Sequence, residues 1–523
     1  LAVPSWRIGG VLLDRIARTS LEVADTSSRL AKIDLIASCL RRLRPEEVPV
    51  AVAYLAGVLP QGTIGIGWAA LRELPPPAEE PALEVLELHA ALTAISQTAG
   101  QGSQAARRKQ IDELFGKATK AEKDFITRLL LGDLRQGALE GVMVEAIARA
   151  TDTPASEVRR ALMLAGDLGT VATAAVADGR EGLARFRLQV LRPLQPMLAQ
   201  TAEDLASALN KVGSATVEWK LDGARIQAHR KGGEVRVFTR NLADITDRAP
   251  EVVEAVRSLA VDSIVLDGEA IAIGRDERAQ PFQVTMSRFG SKLQVPQLRA
   301  ATPLSPFFFD CLHLDGEDLV DRSAGDRYTA LSARVPEALR VPRIATPTVE
   351  EAESFFEGVL ERGHEGVMVK ALDAPYEAGR RGSSWIKVKR AHTLDLVVLA
   401  AEWGHGRRNG RLSNIHLGAR DPAAGGFVML GKTFKGMTDK MLEWQTERFL
   451  QLETRREGIT VYIEPILVVE IAIDGVQSSP RYPAGMALRF ARVKGYRPDK
   501  SPEQADSIDT VRAIFSGGQP FFP

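Results

Sequence analysis

The stretch Glu218-Trp219-Lys220-Leu221-Asp222-Gly223-Ala224-Arg225 constrains this chain more than any other. Val217, Trp219 and Leu221 alternate with Glu218, Lys220 and Asp222, and a period of two buries the apolar set while gathering the three charged groups on the opposite face. Gly223 supplies a permissive backbone for a turn. Beyond it Ala224, Ile226 and Ala228 alternate with Arg225, Gln227 and His229. The expectation is a strand, a tight turn and a second strand, with Lys220 between two carboxylates on a charged face. Alone, Lys-x-Asp-Gly is a short string of common residues and reads as a hairpin with a solvated lysine, so partners elsewhere decide its meaning.

At 523 residues the chain is long enough for about three domains. Lys+Arg equals Asp+Glu at 67 each, so any nucleic-acid surface has to be a local patch. Cys39 and Cys311 are the only cysteines, which excludes a disulfide framework and a cysteine-rich zinc site and fits a cytoplasmic chain. The opening Leu1 to Leu13 is interrupted by Arg7. It is too short for a membrane span and poorly formed as a signal peptide, so the expectation is a frayed terminus, with Val11 as a plausible alternative start and no membrane partner.

From about Asp14 to Val190 the pattern is helical, in segments such as Ser27 to Leu43, Ser103 to Leu131 and Glu140 to Ala150. Residues 62–67, Gly-Thr-Ile-Gly-Ile-Gly, have the wrong glycine order for a dinucleotide loop and read as an inter-helix turn. Gly102-Ser103 opens a helix ahead of Arg107-Arg108-Lys109, and residues 132–137, Gly-Asp-Leu-Arg-Gln-Gly, separate two helices. Helix amides beside basic residues are a ready phosphate site, and a polar inter-helix turn is the plainer reading. Prolines 193 and 196 mark a linker. A mixed α/β region runs on to about Arg390, and after Thr393 short β-rich runs (Leu394 to Ala401, Ile415 to Ala419, Phe427 to Leu430, Tyr462 to Ile473) with one helix, Lys440 to Leu452, suit a small β-barrel. The expected domains are 1–190, 191–392 and 393–523.

Further charged groups sit at strand ends. Arg240 follows a strand, and alone it would be a surface arginine. The run Ile264 to Glu269 reads as a buried strand carrying Asp267 and Glu269, which is costly unless they bind a cation, bind a polar ligand or form a structural ion pair. Phe307-Phe308-Phe309 reads as core, with base stacking as the other possibility. Glu365 stands at the mouth of an apolar strand. Lys387 and Lys389 alternate with Ile386 and Val388 just after Arg380-Arg381, and two lysines on one face repel unless an anion lies between them. Arg489, Arg492, Arg497 and Lys500 form a late basic cluster.

Taken together, Glu-x-Lys-x-Asp-Gly-x-Arg and the order of the later strings resemble the covalent nucleotidyltransferases, and most closely the three-domain ATP-dependent DNA ligases of archaea and some bacteria. The resemblance covers essentially the whole chain. It implies an α-helical DNA-binding domain, an α/β (α+β) nucleotidyltransferase domain and an oligonucleotide-binding β-barrel, acting on nicked double-stranded DNA as a monomer with ATP and Mg2+ or Mn2+. By the same resemblance Lys220 is the adenylated nucleophile and Glu218 the adenine contact. Arg225, Glu269 and Phe309 meet the ribose and stack on the base, while Arg240, Arg381, Lys387 and Lys389 hold phosphates. Glu365 holds the metal with help from Glu269, Arg489 and Lys500 grip pyrophosphate, and Gly102, Ser103, Arg135 and Gly137 touch DNA. One departure stands out: the family's last motif often reads Arg-x-Arg-x-Asp-Lys, whereas Gly495 takes the position of its first arginine and Lys494 is the nearest replacement.

A lysine amine attacks only when neutral, and with a reference pKa near 10.4 roughly one in a thousand is ready at neutral pH, a shortfall of about 4 kcal/mol. Neighbouring cations reduce that cost, whereas Glu218 and Asp222 raise it. A competing motif is the string from Gly426 to Thr433, which fits the phosphate-loop pattern G-x-x-x-x-G-K-T letter for letter. Its four intervening residues are bulky or apolar and no strand precedes it, so the expectation is a barrel strand rather than a P-loop ATPase. An RNA ligase or capping enzyme has no reason to carry the helical domain, an NAD-dependent ligase would need a cysteine zinc finger, and a binding module leaves the acids and lysines unexplained.

Overall fold

The computed structural model describes residues 10–134, 136–138, 140–274, 279–280, 282–290, 295–378, 381–390 and 392–516. It divides into two compact units. The first runs to Thr201 and takes in Leu209–Val349 and Met368–Ile386; the second comprises Ala202–Ala208, Glu350–Val367 and the chain from Lys387 onward.

The first unit begins with helices, among them Leu13–Asp25, Arg29–Leu40, Val48–Leu55, Val85–Gln97 and Glu140–Thr151, whose apolar faces pack one continuous cluster. The periodic run from Ser103 breaks into two helices, Ser103–Gly116 and Lys120–Leu130. The break is a capping box: the Thr119 hydroxyl accepts from the Glu122 amide while the Glu122 carboxylate accepts from the Thr119 amide. Residues 62–67 form the irregular connection expected of them.

The following strands are β1 (Leu198–Thr201), β2 (Ala215–Lys220), β3 (Ala224–Lys231), β4 (Glu234–Thr239), β5 (Ser263–Ala272), β6 (Leu304–Leu314), β7 (Glu317–Asp318), β8 (Arg343–Ala345), β9 (Gly366–Ala371) and β10 (Arg381–Lys389). They build two five-stranded sheets, ordered β1-β10-β9-β2-β8 and β4-β3-β5-β6-β7. So β2 and β3 are not the two arms of a hairpin. The chain leaves one sheet at Lys220 and enters the other at Ala224.

Nor is the charged face of β2 open to solvent. Thr216 and Glu218 are as buried as Val217, because β2 lies inside its sheet between β9 and β8 and is covered on both sides. The helices and sheets share an apolar cluster in which Met163 and Leu164 meet Leu188, Leu194, Met197, Val265 and Leu312, and Arg160 grips Asp321 with two bonds of 2.8 and 2.6 Å.

The second unit is strand-rich. Its strands are β11 (His392–Trp403), β12 (Leu412–Arg420), β13 (Phe427–Thr433), β14 (Glu453–Glu457), β15 (Thr460–Ile463), β16 (Val468–Ile473), β17 (Gly475–Ser478), β18 (Met486–Arg489) and β19 (Arg492–Tyr496). The run from Tyr462 to Ile473 divides at Pro465, which has no N–H to donate to a ladder. The central β11 pairs along one edge with β12 and along the other with β16 and then β15, and its register shifts between Val398 and Ala400. A helix, Asp439–Gln451, capped by the Thr438 hydroxyl, closes the apolar interior. The phosphate-loop string is a strand: Phe427–Thr433 is β13, antiparallel to β12 with Ile415 opposite Thr433 and Arg420 opposite Phe427. Among the described residues no helix is long and apolar enough to cross a membrane.

Candidate active site

Lys220 is the last residue of β2, at the point where the chain crosses between sheets. The crossing is tight. A Cβ on Gly223 would collide with the Ile271 side chain and the Ala270 carbonyl oxygen, so glycine is needed for close approach to β5 rather than for turn geometry. That approach brings Glu269 near Lys220. Glu269 keeps an edge in solvent, yet protein crowds its carboxyl. Burial, helped by Asp267 and Asp222 and opposed by Lys220 and Arg225, pushes it up to about 7.

Arg225, opposite Glu269 in the β3–β5 register, is held from every side. Its Nε and one terminal nitrogen donate to the two oxygens of Asp267 at 3.0 and 2.6 Å; the other terminal nitrogen donates to the Met197 carbonyl at 2.5 Å. Tyr376 completes the knot, its hydroxyl donating to Asp267 at 2.6 Å and accepting from the Met197 amide at 3.1 Å. The guanidinium lies 5.6 Å from the Phe309 ring centre and 5.5 Å from that of Trp385, and the two rings meet edge to face. Burial favours the neutral form, but Asp267 outweighs it and holds the Arg225 pKa above its ordinary value. Asp267 is thus the structural ion pair, whereas Glu269 is left beside the lysine.

Along β6 the three phenylalanines divide by alternation. Phe308 is core, while Phe307 and Phe309 face Trp219 and Leu221. Asp310 turns inward and takes two bonds from buried Arg327, at 2.7 and 3.1 Å. On the neighbouring sheet Glu218 pairs with Lys370, whose Nζ stands 2.5 Å from Oε2 and 4.3 and 4.4 Å from the ring centres of Phe309 and Trp385.

In the second unit, Lys389 pairs with Glu365 and lies 3.2 Å from Asp474. Ile386 and Val388 are buried as the alternation requires. Lys500 pairs with Asp395; Arg497 reaches Asp395 at 3.3 Å and chelates Asp499 at 2.9 and 2.7 Å. Arg489 ends β18 beside Phe490, which is exposed and has a positive φ.

Of the remaining expected residues, Arg240 is on an exposed turn after β4. Arg381 opens β10, but its side chain lies outside the described residues, as does Arg135 altogether. Gly102 is left-handed at the N-cap of the helix opened by Ser103, and Gly137, also left-handed, approaches the Lys32 ammonium. The nearby basic pair is engaged internally: Arg107 donates to the Thr98 carbonyl and Arg108 to Asp112. Sequence reasoning gave no role to Asp267, Tyr376, Lys370, Trp385, Asp395 or Asp474. Asp267 carried a signal, an acid on a strand otherwise apolar.

The crossover lysine, its acids and the aromatic platform define a nucleotidyltransferase core, preceded by a helical region and followed by a strand-rich one. Three family models match in the same order: DNA ligase N terminus over residues 69–148, ATP dependent DNA ligase domain over 196–389, and ATP dependent DNA ligase C terminal region over 408–500. A probable DNA ligase of Anaeromyxobacter sp. (strain Fw109-5) is 59% identical over 506 residues, covering 96% of this chain and 98% of that relative. Another, of Mycobacterium sp. (strain KMS), is 56% identical over 524 residues, covering 97% and 100%. The chain belongs to the ATP-dependent DNA ligase family. A solved structure described as Pmar-Lig_PreS3 shares the fold, with a TM-score of 0.58 at 20% identity over 92% of this chain and 99% of that one.

Proposed function

We propose that this ligase seals nicks in duplex DNA in three displacements at phosphorus: Lys220 takes AMP from ATP, AMP passes to the 5′-phosphate of the nick, and the 3′-hydroxyl attacks that phosphate to release AMP. The observation that carries the reading is Lys220 at the sheet crossover, beside a carboxyl already held near neutral. Glu218 reads the adenine, Phe309 stacks on it, and Arg225 serves mainly as the floor beneath, since Asp267, Met197 and Tyr376 leave it at most one N–H for the ribose.

Arg240, Arg381, Lys387 and Lys389 hold phosphates, and Arg489 and Lys500 serve the departing pyrophosphate. Lys389 and Lys500 rest on carboxylates that phosphate oxygens would replace. A divalent cation, Mg2+ or Mn2+, fits Glu365, a hard oxygen donor whose partner Lys389 marks it as a seat for positive charge. Glu269 is the second candidate and the poorer donor at neutral pH, because it holds its proton there. Bound, such a cation neutralises charge building on the phosphates.

The functional segments are residues 1–190, 191–392 and 393–523, the last an oligonucleotide-binding barrel. Supporting the barrel is β11, long, irregular and shared by strands on both edges. Gly102, Ser103, Arg135 and Gly137 contact the DNA backbone in the first segment. The enzyme acts as a monomer on chromosomal DNA in the cytoplasm.

The test is incubation with ATP labelled at the α-phosphorus, followed by nicked duplex. Covalent label on Lys220 that is chased into sealed product is the expected result. Label that persists in Lys220→Ala, or that comes from NAD and not ATP, overturns it.

A further inference from the structure

Lys370 is an expensive residue for its position. Its ammonium is 5% exposed, and its approach to Glu218 Oε2 is too oblique for a directed hydrogen bond, so it is held by the carboxylate charge and by the faces of Phe309 and Trp385. A methionine would fill the same space against both rings without desolvating a charge, and buried ion pairs of this kind contribute little net stability. The cost therefore needs another explanation. It lies in what the pair does to Glu218, which is two residues before the nucleophile on the same face of β2.

We propose that Lys370 sets the choice of nucleobase by keeping Glu218 an acceptor-only group, favouring a 6-amino purine over a 6-oxo purine. Oε2 is committed to the ammonium, and Oε1 accepts from the Thr216 hydroxyl at 3.4 Å, so the carboxylate is fixed in orientation with only lone pairs left to offer. An exocyclic amine donates to such a group. A 6-oxo group confronts it with a second acceptor, leaving two buried oxygens without a proton between them. Without the ammonium, Glu218 is free to carry a proton and accommodate either base. The inference rests on Glu218 being the base contact proposed above.

The experiment measures kcat/KM for lysyl-nucleotide formation by the full-length protein with ATP and with inosine triphosphate, which carries a 6-oxo group. Lys370→Met should lower the ATP-to-ITP ratio at least tenfold, and Lys370→Gln should lower it in the same direction, while Lys370→Arg keeps it. Unfolding midpoints identify the variants that remain folded. An unchanged ratio in folded Lys370→Met or Lys370→Gln overturns the proposal, as does a collapsed ratio in folded Lys370→Arg. Glu218→Ala separates the two readings. If it too leaves the ratio unchanged, Glu218 does not read the base; if it collapses the ratio while Lys370→Met does not, only the role of Lys370 falls.

Discussion

The ion pairs beside Lys220 and those of the second unit use the same chemistry under different conditions. In Arg225–Asp267, Arg327–Asp310 and Lys370–Glu218 no side chain is more than 16% exposed, and each arginine is bound by two carboxylate oxygens and a carbonyl. The cations Lys389, Arg497 and Lys500 keep between 15% and 31% of their side chains in solvent. Enclosure makes the first set scaffolding: a partner removed there strands a charge. Access makes the second set exchangeable, because water or a phosphate oxygen can take over from the carboxylate.

The largest effect tests the residue the scaffolding serves. Lys220→Ala should abolish covalent transfer of AMP to below detection while leaving the unfolding midpoint near that of the parent, since the lysine is only half-buried. Retained label would move the nucleophile elsewhere. Next comes the scaffolding itself. Asp267→Asn leaves the Arg225 charge uncompensated and should cost about 3–5 kcal/mol in urea unfolding. A cost under about 1 kcal/mol would erase the distinction between the two sets.

A smaller effect sharpens it through pH. His229 is buried and bound to neutral partners: its Nδ1 accepts from the Leu191 amide, and its Nε2 faces the Gln227 carbonyl oxygen at 2.8 Å. Burial, with a lesser push from His313, takes its pKa down to about 3. The unfolded chain binds that proton more readily, so the stability contribution is complete above about pH 6.5 and is lost as pH falls toward 3. About 2 kcal/mol should be gone by pH 5. His229→Gln should flatten that slope. His416, whose Nε2 lies 3.1 Å from Glu402, is also pushed down mainly by burial, but the carboxylate pulls it back, so His416→Gln should flatten the slope less.

Smallest is the change in the exchangeable set. Lys500→Ala should slow lysyl-adenylate formation about tenfold, a loss of about 1.4 kcal/mol in the barrier, while a nick already carrying AMP is sealed at the parental rate. Lys387→Ala should slow both. Equal damage to pre-adenylated sealing by the two variants would remove the division of labour between them.

What could be read from the sequence was local. The alternation of Ile386 and Val388 with Lys387 and Lys389 needed only a period of two, and the structure follows it. The same period at β2 identified the strand but misjudged its surroundings, because alternation cannot tell a solvated face from one covered by a second layer. It also could not tell a hairpin from a crossover, since both need a glycine after Asp222. The partners that define the site were out of reach for another reason. Asp267 is 42 residues from Arg225 and Tyr376 is 151 away, so only the packing of sheets unites them. The string Gly426–Thr433 shows the reverse case, a motif correct in letters and excluded by its strand context.

The cluster joining Met163 and Leu164 to Leu194, Met197, Val265 and Leu312 has a practical consequence for anyone dissecting this enzyme. A cut at Leu191 follows the proposed functional border but runs through a common interior, and it also severs Arg160 from Asp321. Each fragment would present a raw apolar face to water and should self-associate or bind hydrophobic dyes. Functional division in this chain is finer than folding division, and substitutions within the intact protein are the instruments that respect both.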